Sequence, residues 1–340
     1  MKRAAVYLLL IVTFLTPAAS AQLDFKLSPV LDMHHWVRSL LEDKGQLPAH
    51  AGLEAAVAAV RALESDLGGS FFWGFVEGAW VDVSTAAELK EASEDLPLSF
   101  KMRDGRTAAI RERALAVAAA YAALEPVFLA EVWPAHRKAA EEARARLSGS
   151  LAGKQEAVFA DLAKGLGAPP FTGSVPVYLT AEGPWPGAVT HRKKGGGAVI
   201  FVAADAAQGT QFVEIVLHEA THAIDLAAGE SSVLAELRKK LGQVPNASPK
   251  EVHDFVHTVM FAQAGETVRR VLAPEHKDYG DVNGYYPKVP RATAAVVPAW
   301  RAYLAGEITR DEAVRRIVAG FEGREAVTRP AGGRRFPGGR

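Results

Sequence analysis

Residues 210–229 read TQFVEIVLHEATHAIDLAAG and contain a His-Glu-x-x-His motif at 218–222. The apolar residues recur at the spacing of an amphipathic helix, for which Thr210 is the predicted N-cap and Gly229 the predicted C-cap. At about 100° per residue, His218 and His222 fall within roughly 40° of each other on one face. The opposite face is apolar and is expected to pack into the core.

The spacing of the motif suits a zinc ion. Two imidazoles one helical turn apart can both reach one Zn²⁺ at about 2.0–2.1 Å. Zinc lowers the pKa of a water bound to it to about 7, and Glu219 points to the side, where it can activate that water as a general base. Asp225 returns to the same face and is expected to accept an N–H from a ligand imidazole. The alternative is that this polar stripe is only a solvent-exposed face.

Residues 1–21 have the three parts of a secretory signal peptide. Lys2 and Arg3 form a basic start, residues 4–16 form an apolar segment too short to span a bilayer, and the sequence ASA at 19–21 suits cleavage. An uncleaved anchor is the alternative. We therefore expect a secreted or periplasmic protein that begins at Gln22 and has no membrane span after cleavage.

The composition restricts the classes of partner. The 340 residues include 39 Lys and Arg against 39 Asp and Glu, a balance that argues against nucleic acid as a partner. The chain has no cysteine, so it forms no disulfide although the expected compartment is oxidising. A chain of this length can bury a substantial core, and its stability must come from packing and from any bound metal.

The region 22–167 is predicted to be a helical subdomain. Apolar residues recur there at helical spacing in five segments, at residues 28–41, 50–67, 106–131, 134–147 and 154–166. The composition changes after Gly167, where the sequence APP marks a break. The region 168–328 is predicted to be the metal-binding domain, and residues 329–340 a disordered basic tail.

The metal-binding region mixes strands and helices. Strands are predicted at 175–180 and 198–203, the second just before the His-Glu-x-x-His helix. Such a strand can bind an extended peptide by edge pairing. Further helices are predicted at 248–272, 292–304 and 309–321. The sequence therefore predicts an α+β fold that is mostly helical, with a small sheet beside the His-Glu-x-x-His helix and an N-terminal helical subdomain.

A catalytic zinc site needs a third protein ligand. The predicted helix 248–272 offers His257 and Glu266, which are nine residues apart and lie about 180° apart on a straight helix. Both can bind one metal only if the helix breaks at Gly265, so either is a candidate. The turn-rich segment that follows carries Tyr285 and Tyr286, whose hydroxyls can stabilise an oxyanion or simply pack in the core.

The pattern His218-Glu219-x-x-His222-x-x-Asp225 resembles the gluzincin metallopeptidases, including the lethal-factor type. In those families a glutamate on a later helix is the third ligand, a place that Glu266 matches. The region 133–321 also resembles a family of uncharacterised bacterial secreted proteins, through the sequences WPAH at 133–136, TH at 190–191 and HTVMFAQAGE at 257–266. The resemblance to the gluzincins implies a zincin-like domain that uses Zn²⁺ to hydrolyse a peptide or protein substrate.

Two other functions are compatible with the same residues. A non-catalytic zincin-like module could bind a peptide or protein, and a fourth protein ligand to the zinc would favour it because it closes the water position. A zinc hydrolase could instead cleave another bond, such as an amide in a cell-wall peptide or a small metabolite. An open groove with a free strand edge favours peptides, whereas a closed pocket favours small substrates.

The exported protein is predicted to begin at Gln22, because the basic start, the short apolar segment and the ASA sequence place signal cleavage after residue 21. N-terminal sequencing of the exported protein checks this. Recovery of exported protein with Met1 intact would contradict it.

Overall fold

The computed structural model describes residues 21–42, 48–68, 73–101, 105–183 and 187–323. The signal peptide predicted for residues 1–21, apart from Ala21, and the tail predicted for 329–340 lie outside the described residues. Within the described ranges the chain is mostly helical and contains a small mixed sheet, so the predicted α+β class is confirmed.

The described strands form one four-stranded sheet and one small hairpin. They are β1 (Gln22–Lys26), β2 (Phe100–Lys101), β3 (Thr107–Ala108), β4 (Ser174–Thr180), β5 (Ala188–Arg192) and β6 (Ala198–Ala203). The sheet has the order β1-β4-β6-β5, in which β1, β4 and β6 are parallel and β5 runs antiparallel to β6. Strands β2 and β3 pair only with each other. Strand β5 is therefore an edge strand of the main sheet.

The two central strands were predicted from the sequence, and the two edge strands were not. Strands β4 and β6 are short apolar runs bounded by turn residues, which is the pattern of a strand buried on both faces. Strands β1 and β5 are five residues long and partly polar, and β5 lies in a segment that looks like a loop. Their strand conformation comes from pairing with β4 and β6 rather than from local pattern.

Helices occupy most of the remaining described chain. They are α1 (Pro29–Glu42), α2 (Leu53–Leu67), α3 (Trp73–Glu77), α4 (Ala86–Glu94), α5 (Ile110–Val127), α6 (Trp133–Leu151), α7 (Gln155–Gly165), α8 (Gly209–Ala228), α9 (Val233–Gly242), α10 (Pro249–Thr267), α11 (Tyr279–Val282), α12 (Tyr285–Lys288), α13 (Pro290–Leu304) and α14 (Arg310–Phe321). Each of the long helices expected from apolar periodicity is present, whereas α3, α4, α9, α11 and α12 were not predicted.

The sheet separates two hydrophobic cores. Because side chains alternate along a strand, Val177 and Ile200 enter the core that contains α8, whereas Tyr178 and Phe201 enter the core built by α1, α2 and α5. The two cores do not divide at residue 167, since α6 and α7 contribute Leu147 and other residues to the α8 core. Strand β1 also pairs with β4, so the N-terminal region is not purely helical.

Helices α5 and α6 form one long helix through a π-helical turn at Phe128–Val132, which follows Pro126. It spans 42 residues and contains an 18-residue window with a mean hydropathy of 1.6, so by length and composition it could cross a membrane. Length and composition alone do not establish a span, so the expectation of no membrane span after signal cleavage stays a prediction. Core helices of soluble proteins also meet this criterion, and here Tyr121 and Leu147 are buried in the two cores.

Helix α3 and the residue that follows it approach one end of β5 closely, because Gly74 and Gly78 have no side chain there. A Cβ added to Gly74 would lie 2.5 Å from the His191 Nδ1, and one added to Gly78 would overlap the carbonyl oxygen of Arg192. The Lys194 N–H donates to the Gly78 carbonyl at 2.9 Å. Strand β5 has only β6 as a neighbour in the sheet, so this close approach supports its otherwise open side.

A buried carboxylate reinforces the same contact. Glu77 is fully buried and accepts hydrogen bonds from His34 at 3.0 Å, Arg38 at 2.5 Å and His191 at 2.6 Å. Although burial opposes ionisation, Arg38 and the two histidines hold the pKa of Glu77 well below its usual range. A buried charge with this many partners is stable only when all of them are in place, so Glu77 fixes His191 and with it the position of β5.

Gly78→Ala is predicted to lower the free energy of unfolding by about 1–3 kcal/mol, because the added methyl group overlaps backbone that cannot rotate away. The matched control is Gly149→Ala at an exposed position of α6, where an added Cβ meets nothing within 4 Å. That control should gain about 0.5–1 kcal/mol from helix propensity. Urea unfolding of both variants measures the difference, and equal effects would contradict the proposed close packing of α3 on β5.

Candidate metal centre

Three histidines from two helices meet beside the sheet. His218 and His222 lie on α8 and His257 lies on α10, and one nitrogen from each is within 4.8 Å of the other two. The Nε2 atoms of His218 and His257 are 2.9 Å apart. The structure thus brings His257 to the pair of the His-Glu-x-x-His motif.

The packing of α10 on α8 fixes this arrangement. Helix α10 begins at a capping box, in which Ser248 caps the helix and Glu251 bonds back to it. One turn after His257, Phe261 stacks on the His218 ring with the centroids 3.9 Å apart.

The predicted N-cap of α8 was wrong, since Thr210 lies inside the helix and its Oγ1 contacts His276 at 2.8 Å.

The three imidazoles are in the state that binds metals. His218 is only 2% exposed, and the polar stripe of α8 is therefore not a solvent-exposed face. Burial lowers the pKa of His222 to about 4 and that of His257 to about 3, and it lowers the pKa of His218 well below its usual range. All three rings are consequently neutral near pH 7. The His218 Nδ1 is buried without a hydrogen-bond partner, whereas its Nε2 faces the Nε2 of His257.

The donor set fits a metal ion. Neutral imidazole nitrogen suits zinc, copper, iron and nickel, so three such nitrogens define a metal-binding group without selecting the metal. The group could hold a metal ion through His218, His222 and His257. Three protein ligands leave further coordination positions open, as in catalytic sites.

Glu266, the other candidate for third ligand, lies elsewhere. Helix α10 runs unbroken through Gly265, so Glu266 faces away from His257. Its carboxylate pairs with Arg269 and with Arg301, the latter at 2.9 Å. The break at Gly265 that would have brought both residues to one ion is absent. Instead, the missing side chain at Gly265 lets the Asp278 carboxylate approach, because an added Cβ would lie 2.6 Å from its Oδ1.

A second buried polar group lies behind α8. Glu214, His276 and Asp278 also place ligand atoms within 4.8 Å of one another. His276 bonds Glu214 at 2.6 Å, and Asp278 pairs with Arg269 and Arg301. Guanidinium groups therefore balance the charge of Asp278, and this group reads as a structural network.

Asp225 does not bind a ligand imidazole. Its carboxylate accepts from the Ser232 hydroxyl and from Arg238 on α9. The expectation that it orients a histidine through a hydrogen bond was therefore wrong. A tyrosine supplies a contact of this kind instead, since the Tyr285 hydroxyl lies 3.3 Å from the Nδ1 of His257. In the tautomer that can bind a metal, that Nδ1–H donates to the hydroxyl oxygen and leaves Nε2 unprotonated.

The two tyrosines named from the sequence differ in position. Tyr285 lines the pocket in front of the histidines, and burial raises its pKa to about 12, so it stays protonated. Tyr286 is buried in the core, and an added Cβ on Gly280 would lie 2.6 Å from its ring. Its hydroxyl does not reach the pocket, so an oxyanion role for Tyr286 is not supported by its position.

Glu219 lies between the histidines and β5. It is 6% exposed, and the Thr190 hydroxyl contacts its Oε2 at 2.7 Å and its backbone carbonyl at 3.0 Å. Burial raises the pKa of Glu219 to about 7, against the opposing effect of the Thr190 hydrogen bond. Its carboxylate therefore gains and loses a proton easily near neutral pH.

The role of Thr190 could not be inferred from local sequence pattern. Thr190 and His191 are neighbours on β5 and point to opposite faces, so Thr190 meets Glu219 while His191 meets Glu77. His191, the second residue of the TH sequence at 190–191, therefore faces the other core. The opposite directions of these two side chains follow from strand geometry, so they could be predicted only if β5 had been recognised as a strand.

A pocket of about 500 Å³ opens in front of this group. Its wall combines the metal-binding group and Glu219 with residues of β5, α10 and the α11–α12 segment. The lining residues are Ala188, Val189, Thr190, Ile215, His218, Glu219, His222, His253, Asp254, His257, Phe261, Tyr279, Asn283, Tyr285 and Lys288. The pocket thus joins a metal-binding group, a carboxylate and an edge strand in one cavity.

No protein-family model, curated protein or solved structure matches the chain. The function must therefore be inferred from the residues of the site and their geometry.

His257→Ala is predicted to weaken metal binding at least about 10²-fold, because even the loss of an outer partner of a ligand costs about 10–100-fold. His218→Ala and His222→Ala should do the same. The matched control is His253→Ala, one turn before His257 and exposed, which should keep its metal. Metal content after equilibration with Zn²⁺ is the measurement.

Glu266→Ala belongs to the same experiment. It should retain the metal and lose thermal stability, because it leaves Arg269 and Arg301 with fewer partners. Loss of metal from Glu266→Ala together with retention in His257→Ala would restore Glu266 as the third ligand.

Proposed function

We propose that this protein is an exported zinc-dependent hydrolase that cleaves peptide bonds, with Glu219 as the general base. The observation that carries the proposal is the position of the buried Glu219 carboxylate, beside three neutral histidines and at the wall of a pocket. A structural zinc site is closed by four protein ligands. Among the described residues the histidine group has three members, which supports a catalytic rather than a purely structural site.

A zinc ion held by His218, His222 and His257 would polarise the substrate carbonyl and make water more acidic. Glu219 takes the proton from the attacking water and later gives it to the leaving amine. The Thr190 hydroxyl holds the Glu219 carboxylate in the orientation that this transfer needs. Exclusion of bulk water by the surrounding pocket keeps the pKa of Glu219 close to neutrality, so it can both accept and release the proton.

Tyr285 has a place in the same scheme. Its hydroxyl oxygen accepts from the Nδ1–H of His257 at 3.3 Å, and its own proton has the Thr258 hydroxyl as a neighbour at the long distance of 3.5 Å, which a substrate oxygen can replace. The raised pKa, about 12, keeps that proton in place across the physiological range. A substrate oxygen that gains negative charge in the pocket can therefore receive a hydrogen bond from Tyr285.

The free edge of β5 supports an extended peptide as substrate. Gly187 and Lys193 bond to β6 through their backbone, so in this antiparallel pair the backbone groups of Ala188 and Thr190 point away from β6. Helix α3 covers the strand only at its Arg192 end. Ala188 and Thr190 both line the pocket, where their N–H and C=O groups can pair with a peptide strand.

Glu219→Gln is predicted to keep its metal and its thermal stability while peptide hydrolysis falls by about 10²-fold or more, the scale of losing a general base. The amide keeps the shape of the side chain and can still contact Thr190, but it cannot accept the proton. Metal analysis, thermal unfolding and a peptide-cleavage screen of wild type and variant are the measurements. Retention of both metal and full activity would assign the base to another residue, and absence of cleavage by the wild type would favour a non-catalytic binding module.

A further inference from the structure

A second, smaller cavity lies on the other side of the metal-binding group. It has a volume of about 200 Å³, and His222, His253 and His257 line both it and the larger pocket. The metal-binding group therefore stands between two spaces. The larger space runs along β5, and the smaller lies between α9 and α10 and is open to solvent.

The wall of the small cavity is apolar on one side and cationic on the other. Helix α10 contributes Val252, Val256 and Met260, and α9 contributes Arg238. The volume is below the roughly 300–1,000 Å³ typical of pockets for drug-sized ligands, so it suits a single amino-acid residue rather than a longer segment.

Arg238 is held in place by a buried partner. Its Nη2 donates to Asp225, which is 8% exposed and also accepts from the Ser232 hydroxyl. The Arg238 side chain is 44% exposed, and within the described residues that contact is its one hydrogen bond. A guanidinium carries five N–H donors in a planar fork, so most of them remain available. The fixed fork matches a carboxylate with two parallel hydrogen bonds.

We propose that the small cavity binds the C-terminal residue of the substrate peptide, with its carboxylate on Arg238 and its apolar side chain against Val252, Val256 and Met260. The inference rests on the proposed hydrolase function. It makes the protein a carboxypeptidase that releases apolar residues one at a time. The water oxygen joins the carbonyl carbon of the last peptide bond, the C–N bond breaks, and Glu219 transfers the proton to the leaving nitrogen.

The peptide then has one direction in the site. Its last residue occupies the small cavity, the carbonyl of the last peptide bond lies at the histidine group, and the preceding residues follow β5 in the larger pocket. Because Asp225 balances the charge of Arg238, recognition depends on the directed N–H donors more than on net charge. The side-chain carboxylate of an Asp or Glu residue in the peptide offers the same chemistry as the C-terminal carboxylate. The test must therefore separate these two kinds of carboxylate.

The test measures peptide binding to the zinc-loaded Glu219→Gln protein, in which turnover does not interfere. Three N-terminally labelled peptides are compared: one ending in leucine as the free acid, the same peptide as the C-terminal amide, and an amide with aspartate as its last residue. The free acid is expected to bind about 10- to 100-fold more tightly than the leucine amide, the scale of a charge-assisted hydrogen bond. Fluorescence anisotropy gives the three affinities, and the protein used in this comparison retains Arg238.

Three variants assign the effect to the cavity. Arg238→Met should abolish the preference for the free acid, and the matched control Lys239→Met, the neighbouring exposed cation of α9, should leave it unchanged. Arg238→Lys should recover only part of it, because an ammonium lacks the fork. Thermal unfolding of each variant verifies that the fold is retained, and the comparison on unaltered Arg238 stands if Arg238→Met does not fold.

The outcomes separate this inference from the proposed function. Equal affinity for the free acid and the leucine amide overturns it, as does tightest binding of the aspartate amide, which would make a side-chain carboxylate the ligand. Wild-type cleavage of amidated peptides at internal bonds would leave the hydrolase standing and overturn the carboxypeptidase. An Arg238-dependent preference for the free acid without cleavage by the wild type would support the carboxylate site and reject the hydrolase.

Discussion

The close packing of α8 against α10 is the constraint on which the site depends. Each helix supplies ligands that the other cannot, and Phe261 fills the space beside His218 so that the rings stay dry and neutral. Two neutral imidazoles can share the 2.9 Å contact between their Nε2 atoms, because the Nε2–H of one can donate to the Nε2 of the other. The same burial raises the pKa of Glu219 to about 7. Burial at this helix contact thus keeps the imidazoles neutral and raises the pKa of the neighbouring carboxylate.

The sheet links this site to the N-terminal helices. Its two faces enter separate cores, so the position of β5 is set from both sides. Glu77 anchors His191 from one core, and Thr190 on the opposite face contacts Glu219 in the other. An edge strand with one paired neighbour would otherwise be free to shift. The N-terminal half therefore contributes to the geometry of the site without lining it.

Buried carboxylates in this protein follow the distribution of their cationic partners. Glu266 and Asp278 meet Arg269 and Arg301, and Asp225 meets Arg238. A buried charge needs such compensation, and a carboxylate already held by guanidinium groups is a poor candidate for a metal ligand. Among the described residues the hydrogen bonds of the three histidine rings go to one another and to Tyr285, so this group could hold a metal ion. Arg238 differs from the other two arginines because it lines the small cavity and, among the described residues, its one hydrogen bond is to Asp225.

The sequence by itself determined the long helices, the two central strands and the set His218, Glu219 and His222, because periodicity and the spacing within one helical turn are local properties. It could not choose between His257 and Glu266, since the choice depends on which face of α10 meets α8. Strand β5, and with it the contact of Thr190 with Glu219, was also beyond local pattern because its conformation comes from pairing with β6. The Arg238 cavity exists only where α9 and α10 approach the metal-binding group, so tertiary packing alone decided it.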